Sequence, residues 1–134
     1  RYLDATDKGR DVLGRWVGLA GPYAFYPSEV NAVRNIFAGV PEDQARPITF
    51  AGPGAPPALL LHGTADRTVY PWNSVQLSNK LQEEDIDASV HLYDGIGHAP
   101  LVLSLSPPFT GIASTLEHSV AFLKTGSMPK LVAA

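Results

Sequence analysis

Two short loops carry the residues best suited to chemistry. Asp66 lies in Leu61-His62-Gly63-Thr64-Ala65-Asp66-Arg67, and His98 lies in Tyr93-Asp94-Gly95-Ile96-Gly97-His98-Ala99. Each loop follows an apolar run that reads as a β-strand. A carboxylate bonded to one imidazole nitrogen fixes the tautomer and stabilises the imidazolium, which leaves the other nitrogen to act as a base. Each residue also has a plainer reading. Asp66 can cap a turn or the helix that follows it. Asp94, four residues before His98, is the rival acid, but that position suits a turn former. His62 ends an apolar strand and reads as a structural histidine with satisfied nitrogens. His91 and His118 read as solvated, and Glu83, Glu84, Asp85 and Asp87 as a solvated turn at a helix end. Tyr70 and Trp72 read as helix-packing residues more than as a pocket lining. No H-x-x-x-H or comparable spacing occurs, so no metal site is expected.

The elements that must position Asp66 and His98 follow from hydropathy and turn residues. Trp16 to Ala20 and Ala58 to His62 are short, almost wholly apolar runs that stop at glycines, the pattern of buried parallel strands. Ala88 to Tyr93 alternates apolar and polar residues, as a half-exposed edge strand does. Between the strands, Ser28 to Ala38 has Val30, Val33, Ile36 and Phe37 at helical spacing, with Ser28 as N-cap. Pro41 to Gly52 reads as a short helix or an irregular excursion. Pro71 begins a helix to about Glu84, with Trp72, Val75, Ser78 and Leu81 towards the sheet. A loop from Asp94 to Pro108 leads to a last helix, Phe109 to Lys124, with Phe109, Ile112, Leu116, Val120 and Leu123 as its buried stripe. Met128 to Ala134 is a tail. Alternation of strands and helices argues for an α/β fold with a parallel sheet. In such sheets ligands bind beyond the C-terminal strand ends, where both loops lie. The first strand, apolar on both faces, suits a sheet interior and so asks for further strands before Arg1.

Composition sets the outer limits. The 134 residues are 45% hydrophobic and 17% charged with no cysteine, which fits one folded domain over residues 1–134 without disulfides or thiolate metal sites. The formal net charge of −3 gives no reason to expect nucleic acid or an anionic membrane as partner. No apolar run approaches the ~18 residues of a membrane-spanning helix. The compartment is not fixed by composition, with the cytoplasm as the default expectation.

With these elements in order, Leu60-Leu61-His62-Gly63-Thr64-Ala65-Asp66 resembles the strand-plus-acid motif of α/β-hydrolases. Gly95-Ile96-Gly97-His98 is similar to that family's terminal histidine loop. Trp16 to Phe25 (WVGLAGPYAF) resembles the strand after the nucleophile helix in carboxylesterases of the acetyl-esterase and formamidase type. The resemblance implies the C-terminal half of an α/β-hydrolase fold: three parallel strands with flanking helices, the N-terminal strands preceding Arg1. It implies Asp66 and His98 as acid and base of a Ser-His-Asp triad. The nucleophile elbow, G-x-S-x-G, and the oxyanion hole belong before the acid in chain order, and no serine of these residues stands in that pattern. The expectation is a serine-type hydrolase of small-molecule carboxylic esters with short acyl groups. It needs no cofactor, is inactive as this chain alone, and is completed by the N-terminal half of the same protein. Alternatives are an amidase or formamidase of the same fold, and a non-catalytic α/β binding module. Tyr23 to Phe50, with Phe25, Tyr26, Phe37 and Phe50, is expected to shape the substrate pocket.

Overall fold

The computed structural model describes residues 13–127; the expected tail, 128–134, lies outside them. Three strands, β1 (Trp16–Leu19), β2 (Ala58–Gly63) and β3 (Ala88–Tyr93), form one sheet in the order β1-β2-β3. Both pairings are parallel, with Trp16 opposite Ala58 and Ala58 opposite Ala88. Every residue of β2 is buried, because strands cover both its edges and helices both its faces. Its apolar composition is the direct cause. Leu59 and Leu61 point into one cluster with Leu101 and Phe122, and Leu60 into the other with Leu77 and Leu81, which follows from the period of two along a strand. The alternating β3 lies at the edge, as expected.

Between β1 and β2 the chain makes short pieces: helix α1 (Asn31–Arg34), helix α2 (Glu42–Ala45), and 3-10 turns at Pro27–Glu29 and Pro47–Phe50. The continuous helix expected over Ser28 to Ala38 does not form. Val30 is extended (φ −105°, ψ 104°), and Ile36 is 74% exposed. Without a covered apolar face, so short a segment cannot sustain a helix. Ser28 does not cap; its hydroxyl donates to Glu42 instead.

The helix after β2, α3 (Trp72–Glu83), has Pro71 as its N-cap residue, but it is rotated from the expected face. Ser78 and Leu81 are buried as expected, whereas Trp72 and Val75 are exposed and Asn73, Ser74 and Leu77 are buried in their place. The cause is hydrogen bonding. Asn73 Oδ1 accepts the Ala24 backbone N–H at 2.9 Å, and Ser74 Oγ bonds His62 Nδ1 at 2.7 Å. Each satisfies a polar group that would otherwise be buried unpaired.

After β3 comes a helix where a loop was expected. Helix α4 (His98–Leu103) carries His98 as its first residue, with Gly97 as N-cap. Leu101 is buried under the sheet. At the other end Ser104 Oγ donates to the Leu101 carbonyl at 2.5 Å and bonds Thr115 Oγ1 at 2.5 Å, both side chains fully buried. The last helix, α5 (Thr115–Thr125), is shorter than expected and turned over. Thr115, His118, Ser119 and Phe122 are buried; Phe109, Ile112, Leu116, Val120 and Leu123 are exposed. Phe122 enters the core while His118 meets Tyr93 (Tyr93 Oη to His118 Nδ1, 2.7 Å). His118 is therefore buried rather than solvated, and His91 is half-buried against it, with ring centroids 4.9 Å apart.

Candidate active site

Parallel pairing of β2 and β3 brings their C-terminal loops side by side, and a close backbone approach locks them together. Gly63 ends β2, and a Cβ there would lie 2.0 Å from the Ile96 carbonyl oxygen, so only glycine fits. The same Ile96 oxygen accepts the Ala65 N–H at 3.0 Å, and the Tyr93 oxygen accepts the Thr64 N–H at 2.9 Å. Thr64 Oγ1 accepts the Gly95 N–H at 2.9 Å and donates to Asp94 at 3.1 Å. Gly95, at φ +69°, takes the left-handed conformation that turns the chain towards His98.

Asp66 and His98 meet across this junction. Asp66 Oδ2 lies 2.8 Å from His98 Nδ1. Asp66 Oδ1 accepts the N–H groups of Thr68 and Val69, each at 2.9 Å. The capping duty and the histidine contact are thus divided between the two oxygens of one carboxylate. The Asp66 side chain is fully buried, and that of His98 is 34% exposed. Burial alone would raise the Asp66 pKa. The Val69 N–H, the His98 contact and the Thr68 N–H outweigh it and hold the carboxyl below its ordinary value. His98 Nε2 makes no hydrogen bond to any described residue.

His62 is buried and satisfied, as expected. Its Nε2 lies 2.8 Å from the Val69 carbonyl, so that nitrogen carries the proton, and Nδ1 accepts from Ser74. Its Nε2 is also 3.3 Å from Asp66 Oδ2, a contact that sequence reasoning missed. The signal was available: a polar residue closing a buried strand, four before the acid. Asp94 bonds Thr64 and does not reach His98. Among the described residues no group of three or more His, Cys, Asp or Glu side chains is arranged to hold a metal ion, and no helix is long and apolar enough to cross a membrane.

A groove of about 680 Å³ opens beside the Asp66 loop, with Thr68 and Val69 in its wall. The Tyr23 to Phe50 segment supplies Phe25 and Tyr26, while Phe37 and Phe50 lie elsewhere. Tyr70 and Trp72 also line it, 49% and 40% exposed, so they are pocket residues and not the helix packing expected of them. Their exposure follows from the rotation of α3.

The profile of the prolyl oligopeptidase family matches residues 38–126. No curated protein matches the sequence. Among solved structures, esterase 2 of Thermogutta terrifontis superposes with a TM-score of 0.64 at 17% identity, over 90% of this chain and 45% of that one. Its propionate-bound form gives 0.63 at 18%, over 87% and 45%. The carboxylesterase Cest-2923 from Lactobacillus plantarum WCFS1 gives 0.64 at 14%, over 87% and 46%. The chain therefore spans less than half the length of these structures. The likeness at such identities is one of fold, an α/β-hydrolase architecture of parallel strands with flanking helices.

Proposed function

This chain belongs to the prolyl oligopeptidase family, and from that premise we propose that it supplies the acid and base of a serine hydrolase acting on carboxylic esters. The observation that carries the reading is the 2.8 Å bond between Asp66 and His98 at the C-terminal ends of adjacent parallel strands. Asp66 holds His98 through Nδ1. His98 Nε2 then takes the proton of a serine hydroxyl supplied from outside these residues, and the serine oxygen attacks the substrate carbonyl. As the tetrahedral intermediate collapses, His98 returns the proton to the leaving alcohol. Water then repeats the sequence on the acyl-enzyme. Backbone bonds fix Asp66 and its pKa is low, so it stays an anion facing the imidazolium throughout. No cofactor enters the scheme.

The test is steady-state kinetics of the full-length protein on p-nitrophenyl acetate. Asp66→Asn is expected to lower kcat by about four orders of magnitude with the fold intact. His98→Ala should do at least as much, and the 134-residue chain alone should show only background. A loss under about tenfold for Asp66→Asn would sink the assignment. A second reading has its own support, since the matched family is named for peptide cleavage. The same acid–base pair serves an amide, where His98 protonates a leaving amine. Comparing kcat/KM for matched p-nitrophenyl esters and p-nitroanilides separates the two.

A further inference from the structure

The groove beside the Asp66 loop has a lopsided chemistry. Its walls are mostly aromatic and aliphatic, with Phe25, Tyr26, Tyr70 and Trp72 as its largest side chains. Of the side chains lining it, one is charged at neutral pH, Glu29, and none is lysine or arginine. Glu29 is exposed, and its carboxylate has no ion pair or hydrogen bond with any described residue. The nearest cation to the aromatic wall, Arg46, is otherwise engaged. Its guanidinium lies 3.8 Å from the Tyr26 ring centroid, and its Nη2 donates to the Ala24 carbonyl at 2.7 Å. It occupies a face of that ring without lining the groove.

An unpaired carboxylate among exposed aromatic faces attracts one kind of group. Ring faces carry negative potential and draw organic cations, and Glu29 adds a full negative charge beside them. Among the described residues lining the groove an anionic group would meet no lysine or arginine; Arg34, close by, is engaged by the Ser28 carbonyl and the Asn31 side chain. The volume of about 680 Å³ also far exceeds what a short acyl group fills. Thr68 and Val69 hold Asp66 through their N–H groups and also line the groove, so a group seated there sits next to the acid–base pair. We infer that this groove is a subsite for an apolar substituent ending in an ammonium, and that Glu29 sets the preference for the cation. The inference rests on the hydrolase reading for its purpose, but not for the binding it describes.

The experiment is calorimetric titration of the full-length protein with benzyltrimethylammonium and, separately, with phenylmethanesulfonate. The cation is expected to bind and the anion not to. Glu29→Gln should weaken the cation by about three- to fivefold, the upper part of the range for a partly exposed ion pair. Trp72→Ala should weaken it as well. A parallel assay compares choline acetate with 3,3-dimethylbutyl acetate, which differ by a positive nitrogen in place of a carbon. Glu29→Gln should lower kcat/KM for the choline ester alone. Equal binding of cation and anion, or an affinity within twofold in Glu29→Gln, overturns the inference. If no ester is hydrolysed while the cation binds through Glu29, the ester reading fails and the subsite stands.

Discussion

Asp66 is held from several sides. Two backbone N–H groups meet one oxygen, and His98, with His62 nearby, meets the other. Its folded pKa is depressed below the ordinary 3.8. The sign of the linkage follows. The stabilisation is complete above the unfolded value and is lost as pH falls through the folded one. Urea midpoints for wild type and Asp66→Asn across the acid range should therefore differ most well above the ordinary value of 3.8, with the gap closing as the pH falls below it. A gap that widens as pH falls would mean the carboxylate is not stabilised as an anion. At this scale much was legible in advance. Asp66 and His98 were singled out by residue type and by their place after apolar runs, and His62 by burial. His118 and Tyr70 were not, because each depends on which face a helix turns inward.

The helices are where reading from sequence failed, for one physical reason. Strand period and turn residues gave β1, β2 and β3 nearly to the residue, since an alternating or wholly apolar run leaves little choice of face. Along α3 and α5 a hydropathy stripe competes with a stripe of polar residues, and the polar stripe is buried because most of its members find partners, Ser119 Oγ being an exception among the described residues. Asn73, Ser74, Thr115 and His118 all bond specific groups across the fold. Apolar spacing cannot anticipate such bonds. At the loop junction the sequence is stricter. Gly63→Ala would place a methyl 2.0 Å from the Ile96 oxygen, so the two loops must part. A loss of about 1–3 kcal/mol in unfolding free energy is expected, with a fall in kcat as the His98 loop shifts. Thermal unfolding and kinetics of the same preparation would check both. An unchanged Tm would refute the close approach.

Across the whole molecule, the exposed face of α5 stands out. Leu116, Val120 and Leu123 are 37%, 40% and 49% exposed in a row on a helix packed against β1 and β2. Apolar stripes of this kind mark contact surfaces, and the chain spans under half of the hydrolase structures it matches. Val120→Asp is therefore expected to be near neutral in the 134-residue chain. In the full-length protein it should cost more than about 1 kcal/mol, because a carboxylate would be buried without a partner. Urea unfolding of both forms would decide, and equal effects would show the stripe to be open surface.

His98 rides on a short rigid arm. Helix α4 has six residues, about 9 Å of axis at the usual rise. Its far end is clasped by the hydroxyls of Ser104 and Thr115, and by Leu101 beneath the sheet. A tilt of only about ten degrees at the clasp would swing the histidine by roughly 1.5 Å, more than a 2.8 Å hydrogen bond tolerates. On the proposed reading, the alignment of His98 with Asp66 is thus calibrated from the other end of the helix, by the buried hydroxyls of Ser104 and Thr115. Thr115→Val should lower kcat with KM little changed, and Thr115→Ser should restore it, although the lesion lies a helix-length from the reacting atoms.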